Sequence, residues 1–216
     1  QTGLSLLQKL NQMHKSQRTG NTELEARIRA YEMAARLQLN APEVTDLKGE
    51  SEATKKLYEL EHPEIGSFGR QCLLARRLAE RGVRFVQVYC GAENTTAEKI
   101  RPNWDSHEDL PRDHGYWGPI LDSGASALLK DLKSRGMLED TLVIWSGEFG
   151  RTPTTEKSHG RDHNPYGFCG WMAGGGVQGG QVIGATDEIG FRAAEDKVHV
   201  HDFHSTILKL MGLDHE

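Results

Sequence analysis

The stretch that decides how this chain is read is T-L-V-I-W-S-G-E-F-G-R-T-P, residues 141–153, which continues through a polar interval to H-G-R-D-H-N-P, residues 159–165. Its first five residues form a short apolar run that reads as a buried strand. Ser146-Gly147 breaks the run, so that Glu148 lies at the strand's carboxyl end. In open α/β sheets that edge is where ligands bind. The connection beyond it carries Glu148, Arg151, His159, Arg161, Asp162 and His163, a dense set of metal ligands and anion-binding groups. Long polar loops inside compact domains are uncommon unless they are functional, which sets this reading against that of a charged surface loop.

Toward the carboxyl terminus, residues 166–173 read as a further strand. Gly174, Gly175, Gly176, Gly179 and Gly180 follow around Val177 and Gln178. A phosphate-cradling loop would need a helix to start directly after the glycines. Residues 181–184 read as a strand instead, so the glycines predict a tight hairpin, where positive φ is required. The segment V-H-V-H-D-F-H-S-T-I-L-K-L-M-G, residues 198–212, predicts a helix capped by His201 or Asp202 and stopped at Gly212. Its histidines, His199, His201 and His204, could ligate a metal, but Asp202 as a cap with the rings packed or facing solvent accounts for them better, since His204 lies only two residues into the helix.

Toward the amino terminus, residues 68–81 read as a helix ended by Gly82, residues 83–90 as a strand, and residues 119–135, with Ile120, Leu121, Leu128 and Leu132 on one stripe, as a helix ended by Gly136. Strand, crossover helix and strand make a βαβ unit. Its right-handed connection predicts a parallel sheet with both strand ends on one edge. Two polar loops then meet there. The first is N-W-D-S-H-E-D-L-P-R-D-H-G, residues 103–115. Asp105 and His107, spaced i and i+2, can converge on one metal from an extended segment, whereas on a helix they would diverge. Asp109, Asp113 and His114 are further, less well placed candidates. Mixed carboxylate and imidazole ligation suits zinc, manganese or iron better than calcium, which prefers oxygen alone.

The opening residues predict a helical arm. Leu4, Leu6, Leu7, Leu10 and Met13 fall at helical spacing. Leu24, Ile28, Tyr31, Ala35 and Leu39 form a second stripe over residues 22–39, capped by Asn21 or Thr22 and ended by Pro42. Residues 48–64 read as a linker with a short helical pattern around Leu57 and Leu60, and His14 and His62 as surface histidines. The expected organisation is a helical arm and linker over residues 1–64, able to mediate self-association, and an α/β domain over residues 65–216. The chain has 216 residues and a formal net charge of −5, with no basic stripe, which argues against a nucleic-acid surface. Cys72, Cys90 and Cys169 are too few and too widely spaced for a disulfide framework and read as small buried hydrophobes. No apolar run is long enough to span a membrane. The opening at Gln1, without Met, reads as a processed or truncated start.

These residues also carry a resemblance. D-T-L-V-I-W-S-G-E-F-G-R-T-P (140–153), G-R-D-H-N-P (160–165), A-G-G-G-V-Q-G-G-Q-V-I-G-A-T-D-E (173–188) and V-H-D-F-H-S-T-I-L-K-L-M-G-L-D (200–214) together resemble a sulfatase-like bacterial family, domain of unknown function fifteen-oh-one, of the alkaline phosphatase superfamily. The resemblance covers residue 68 to the end, and the helical arm resembles that of one subgroup. It implies an α/β/α sandwich with a mostly parallel sheet that hydrolyses sulfate or phosphate esters, of small molecules or glycans, at a divalent-metal site, in an exported or periplasmic protein. Glu148 resembles the metal-binding acid that ends a superfamily strand. The next position, a histidine ligand in alkaline phosphatases and asparagine in sulfatases, is Phe149 here and departs from a full second metal site. Asp105 and His107 resemble the ligands before the crossover helix, and His163 resembles the late histidine of the same site, with Asp162 the adjacent alternative. The Cys/Ser-x-Pro-x-Arg nucleophile segment in which sulfatases resemble one another has no match, so the resemblance is to a carboxyl-terminal half and the site it implies is expected to be incomplete in this chain. The expected chemistry is a zinc or manganese ion held by Asp105, His107 and His163. Arg151 and Arg161 would serve as oxyanion partners, and Glu148 as a bridge to a second metal or a base. A non-catalytic metal module that binds anionic ligands, or a structural assembly domain, is the alternative.

Overall fold

The computed structural model describes residues 2–91, 103–155 and 159–216. Most of the connection expected between residue 90 and Asn103 therefore lies outside the described residues. The chain divides into two compact units, Gln1–Gly49 and Glu50–Glu216.

The first unit is a helical pair, α1 (Thr2–Ser16) and α2 (Thr22–Thr45), followed by a 3-10 turn over Leu47–Gly49. Asn21 caps α2 by accepting from the Leu24 amide at 2.9 Å, and Lys15 pairs with Glu25 across the turn at 2.9 Å. Contrary to the expected stop, α2 runs through Pro42. The ring removes only one donor, and the Pro42 carbonyl accepts from the Asp46 amide at 3.0 Å, so the ladder resumes in the last turn.

In the second unit, α3 (Glu52–Leu57) leads to two longer helices, α4 (Gly66–Glu80) and α5 (Leu110–Ser134), which pack on each other. Trp117, Ile120, Gly124, Ala127 and Asp131 repeat at alternating three- and four-residue spacing and make the buried stripe of α5. Phe68, Cys72, Leu73 and Ala75 supply the buried side of α4. Each fully buried large apolar side chain here contributes about 1.5–3 kcal/mol. A Cβ on Gly124 would enter the Phe68 ring, so glycine sets how closely the two helices approach. At one end the interface turns ionic. Arg76, 2% exposed, donates to Asp131 Oδ2 at 2.9 Å, Glu80 at 2.6 Å and Glu50 at 2.7 Å. The Tyr58 hydroxyl donates to the same Asp131 oxygen at 3.0 Å, and Arg135 donates to Asp131 Oδ1 at 2.7 Å. Every buried side-chain polar atom among the described residues is satisfied, which is the condition for such a network to be tolerated.

Helix α5 starts at Leu110 rather than at residue 119. Asp109 accepts from the Arg112 amide at 3.1 Å and Pro111 fits the first turn, while Gly115, Gly118 and Pro119 are carried within the helix. The expected parallel βαβ unit is not formed among the described residues. Residues 83–90 form no strand, whereas β1 (Val143–Ser146) pairs antiparallel with β4 (Gly170–Ala173), Trp145 opposite Trp171. Between them, β2 (Gly150–Arg151) pairs antiparallel with β3 (His163–Asn164). The described architecture is thus mixed helix with small antiparallel sheets.

The strand expected over residues 166–173 is confined to β4. The glycine segment makes no hairpin, because β4 pairs back to β1 while β5 (Ala185–Thr186) pairs with β6 (Ala193–Glu195). Gly174, at φ +74°, lies where a side chain would enter the carbonyls of Leu138 and Thr141. The last helix, α6 (Val200–Leu210), is capped by His199, with Asp202 three residues on completing a capping box. Of the cysteines, Cys72 is buried, its thiol pushed up to about 12 by burial, but Cys169 is exposed. No helix among the described residues is long and apolar enough to cross a membrane.

Candidate metal centre

Two backbone segments build the site, and they are zipped together. Residues 105–110, leading into α5, meet residues 159–164, which include β3. The Arg161 amide donates to Ser106 O at 3.1 Å, the His159 amide to Glu108 O at 3.1 Å, and the Leu110 amide to His159 O at 3.2 Å. Gly160 allows this approach, since a Cβ there would lie within the His107 carbonyl. Below the zipper, the Ser106 hydroxyl donates to Asp113 Oδ2 at 2.7 Å, and Arg112 Nε donates to Asp113 Oδ1 at 2.7 Å. Ser106 and Asp113 are both fully buried, so the first turn of α5 fixes the loop that carries Asp105 and His107.

On this frame, Asp105, His107 and His163 converge. Asp105 Oδ1 lies 2.8 Å from His163 Nε2 and 3.0 Å from His107 Nε2, and the two Nε2 atoms are 3.2 Å apart. Ligands of a tetrahedral zinc-type ion at 2.0–2.1 Å stand about 3.3 Å from one another, so the triangle is close to the size such an ion requires. The three side chains are 43%, 35% and 47% exposed, which leaves the remaining coordination positions facing solvent.

Asp162 takes a different position from the three. Its Oδ1 lies 3.2 Å from His107 Nδ1, on the far side of the ring from the convergence point. A carboxylate in that position would fix the tautomer and raise the basicity of Nε2 if His107 held a metal. Thr152 holds Asp162 through a pair of contacts, its amide donating to Asp162 O at 2.9 Å and its hydroxyl accepting from the Asp162 amide at 3.1 Å.

Arg151 and His163 are directly opposed in the β2–β3 pair, and opposed residues of an antiparallel pair share a face. Arg151 Nη2 accordingly reaches Asp105 Oδ1 at 2.9 Å, with longer contacts to Trp104 O at 3.4 Å and, from Nη1, to Arg161 O at 3.3 Å. Burial works to raise the Asp105 pKa, but the hydrogen bonds from His163 and Arg151, with the charges on Arg151 and His107, outweigh it and lower it to about 2. The aspartate is thus ionised at any pH at which a metal would bind.

Glu148 is exposed on the turn between β1 and β2 and is not among the converging ligands, while Phe149 lays its ring 4.4 Å from the His163 ring. The side chain that follows Glu148 is therefore an aromatic wall against the histidine, in keeping with its departure from a second metal site. Arg161 donates to Gly160 O at 2.7 Å from the edge of the zipper. Asp109 caps α5, Asp113 is buried under the loop, and His114 Nε2 is held on Trp104 O at 2.9 Å, so all three are scaffold. Of the supporting residues, Ser106, Gly160 and Thr152 carried no signal in the sequence, because each acts through backbone approach or burial.

The chain matches, over residues 1–216, the family described as Protein of unknown function (DUF1501), and belongs to it. No curated protein and no solved structure matches it.

Proposed function

Starting from membership of that family, we propose that this chain carries an open divalent-metal site, with zinc the best fit and manganese next. We further propose that the site serves metal-assisted hydrolysis of a sulfate or phosphate ester. The observation that carries the reading is the Asp105–His107–His163 triangle, of tetrahedral-ligand size, with a carboxylate behind one histidine and solvent on its open side. Structural sites are closed by four protein ligands, whereas catalytic ones keep a position free. When bound, such an ion supplies Lewis acidity toward an ester oxygen and acidifies water.

The chain's own residues supply the rest of the reading. Asp105, ionised, and the two Nε2 atoms hold the ion, and Asp162 orients His107. Arg151 and Arg161 bring guanidinium forks to a tetrahedral oxyanion. Glu148, exposed on the neighbouring turn, is a carboxylate able to accept a proton. The superfamily's α/β/α sandwich belongs to the same proposal, with residues 83–91, which carry exposed Phe85 and Tyr89, as one strand of it.

The test is hydrolysis of activated aryl sulfate and aryl phosphate esters by the zinc- or manganese-loaded chain. Turnover by the chain should be slow, metal-dependent and abolished in His163→Ala. Stoichiometric metal binding without turnover of either ester class would refute hydrolysis and favour a module that holds an anionic ligand on its metal.

A further inference from the structure

Asp105 Oδ1 is the meeting point of three nitrogens: His163 Nε2 at 2.8 Å, His107 Nε2 at 3.0 Å and Arg151 Nη2 at 2.9 Å. The first two are the other corners of the metal triangle. The third is a permanent cation bonded to the oxygen that faces the centre of that triangle. A divalent ion about 2.0–2.2 Å from Oδ1 would bring a double positive charge close to the guanidinium, and like charges at that range repel strongly. The two cations would therefore compete for the same carboxylate oxygen.

The remaining Arg151 contacts are long. Nη2 to Trp104 O is 3.4 Å and Nη1 to Arg161 O is 3.3 Å, both near the limit of a hydrogen bond, so among the described residues Asp105 is the one strong acceptor that holds the fork in place. Phe149 lies against the His163 ring, while the half-exposed Asp105 and His163 side chains leave the fork a solvent-facing side to move to.

We propose that Arg151 is a cation surrogate for the metal. In the metal-free protein its guanidinium neutralises Asp105 and holds the ligand set together. The incoming ion displaces it, and the released fork becomes the partner of a tetrahedral oxyanion beside the metal. This inference rests on the metal site proposed above and adds a coupling to it. Because the same arginine opposes metal binding when no anion is present and is satisfied by the anion once the metal is bound, metal and oxyanion should bind cooperatively. By linkage, each should strengthen the other by the same factor. Arg151 acts here on Asp105 and on the anion; it need take no proton and form no bond in the reaction.

Zinc affinity of the full chain, measured by competition with a chromophoric chelator, tests this in wild type, Arg151→Gln and Arg151→Lys. Each protein is measured in sulfate and in chloride at matched ionic strength, with far-UV circular dichroism to show that it is folded. In chloride, Arg151→Gln should bind zinc about tenfold or more tighter than wild type, because a competing cation has been removed. In wild type, sulfate should tighten zinc binding several-fold; in Arg151→Gln that gain should vanish. Arg151→Lys keeps a charge but loses the fork, so it should show a zinc affinity between the two and a smaller sulfate gain. A residue that merely supports the loop would weaken zinc binding when replaced and leave the sulfate dependence unchanged.

Equal or weaker zinc binding by Arg151→Gln, or an undiminished sulfate gain, overturns the surrogate role while leaving the metal site standing. Failure of the wild type itself to bind zinc overturns the metal reading and this inference with it. If Arg151→Gln does not fold, the lysine variant decides: zinc binding weaker than wild type, or no change in the sulfate gain, overturns the proposal.

Discussion

Replacing Gly160 by alanine tests whether the backbone zipper positions the metal ligands. The glycine does not have a positive φ, so alanine can adopt its conformation, and the obstacle is space alone. The new Cβ would lie within the His107 carbonyl and 2.5 Å from the Glu108 nitrogen, where ordinary contacts begin at 3.4 Å. The two strands of the zipper must therefore part by roughly 1 Å at least, beyond the half-ångström tolerance of a preorganised site. That separation strains or breaks the three bonds from Arg161 N, His159 N and Leu110 N, together about 3 kcal/mol at about 1 kcal/mol each. Loss of a glycine from the unfolded chain returns about 0.4–1 kcal/mol, leaving a net destabilisation of about 2 kcal/mol. Because His107 rides on the displaced strand, zinc affinity should fall by about 10- to 100-fold, the range seen when the surroundings of a ligand are disturbed. Urea unfolding of the metal-free protein and chelator competition measure the two effects separately. A Gly160→Ala protein within about 0.5 kcal/mol of wild type, with unchanged zinc affinity, would show that the zipper does not hold the site in place.

Asp162→Asn keeps the shape behind His107 but removes its charge, and should cost about tenfold in zinc affinity with little change in stability, read by the same competition assay. Arg76→Met leaves Glu50, Glu80 and Asp131 without their shared cation; Arg77 and Arg135 remain nearby, so the loss should fall at the lower end of the usual range, about 3 kcal/mol in urea unfolding. Tyr58 is held neutral by burial and by the Asp131 carboxylate, which raise its pKa. A raised folded-state pKa means the contribution is intact below the ordinary tyrosine value near 10 and is lost as pH climbs beyond it. The urea midpoint of wild type should thus drop between about pH 9 and 11 more steeply than that of Tyr58→Phe.

Much of the site was legible in the sequence because its signal is local. Asp105 and His107 stand two residues apart in a polar segment read as loop or extended chain, and His163 lies in the connection that follows the strand ended by Ser146-Gly147. What distinguishes His163 from its neighbour Asp162 is the β2–β3 register, which turns one toward Asp105 and the other behind His107; a sequence offers both as ligands. The helices of the second unit were legible as periodicity. The start of α5 was not, because Gly115, Gly118 and Pro119 look like breakers where the Asp109 cap and Pro111 were the stronger cue. Strand 143–146 announced itself as an apolar run, but an apolar run does not name its partner. Its antiparallel pairing with Gly170–Ala173 is a tertiary choice, and the parallel partner expected at residues 83–90 carries Phe85 and Tyr89 exposed instead.

The most direct measurement is zinc bound per chain at equilibrium, by dialysis against buffered free zinc followed by metal analysis, in wild type, Asp105→Ala and His163→Ala. One zinc per wild-type chain, lost or weakened at least about 100-fold in each variant, is the predicted result, since each is one of the three converging side chains among the described residues. No stoichiometric uptake by wild type, or uptake that both variants retain, would contradict the assignment of these three side chains as a metal centre.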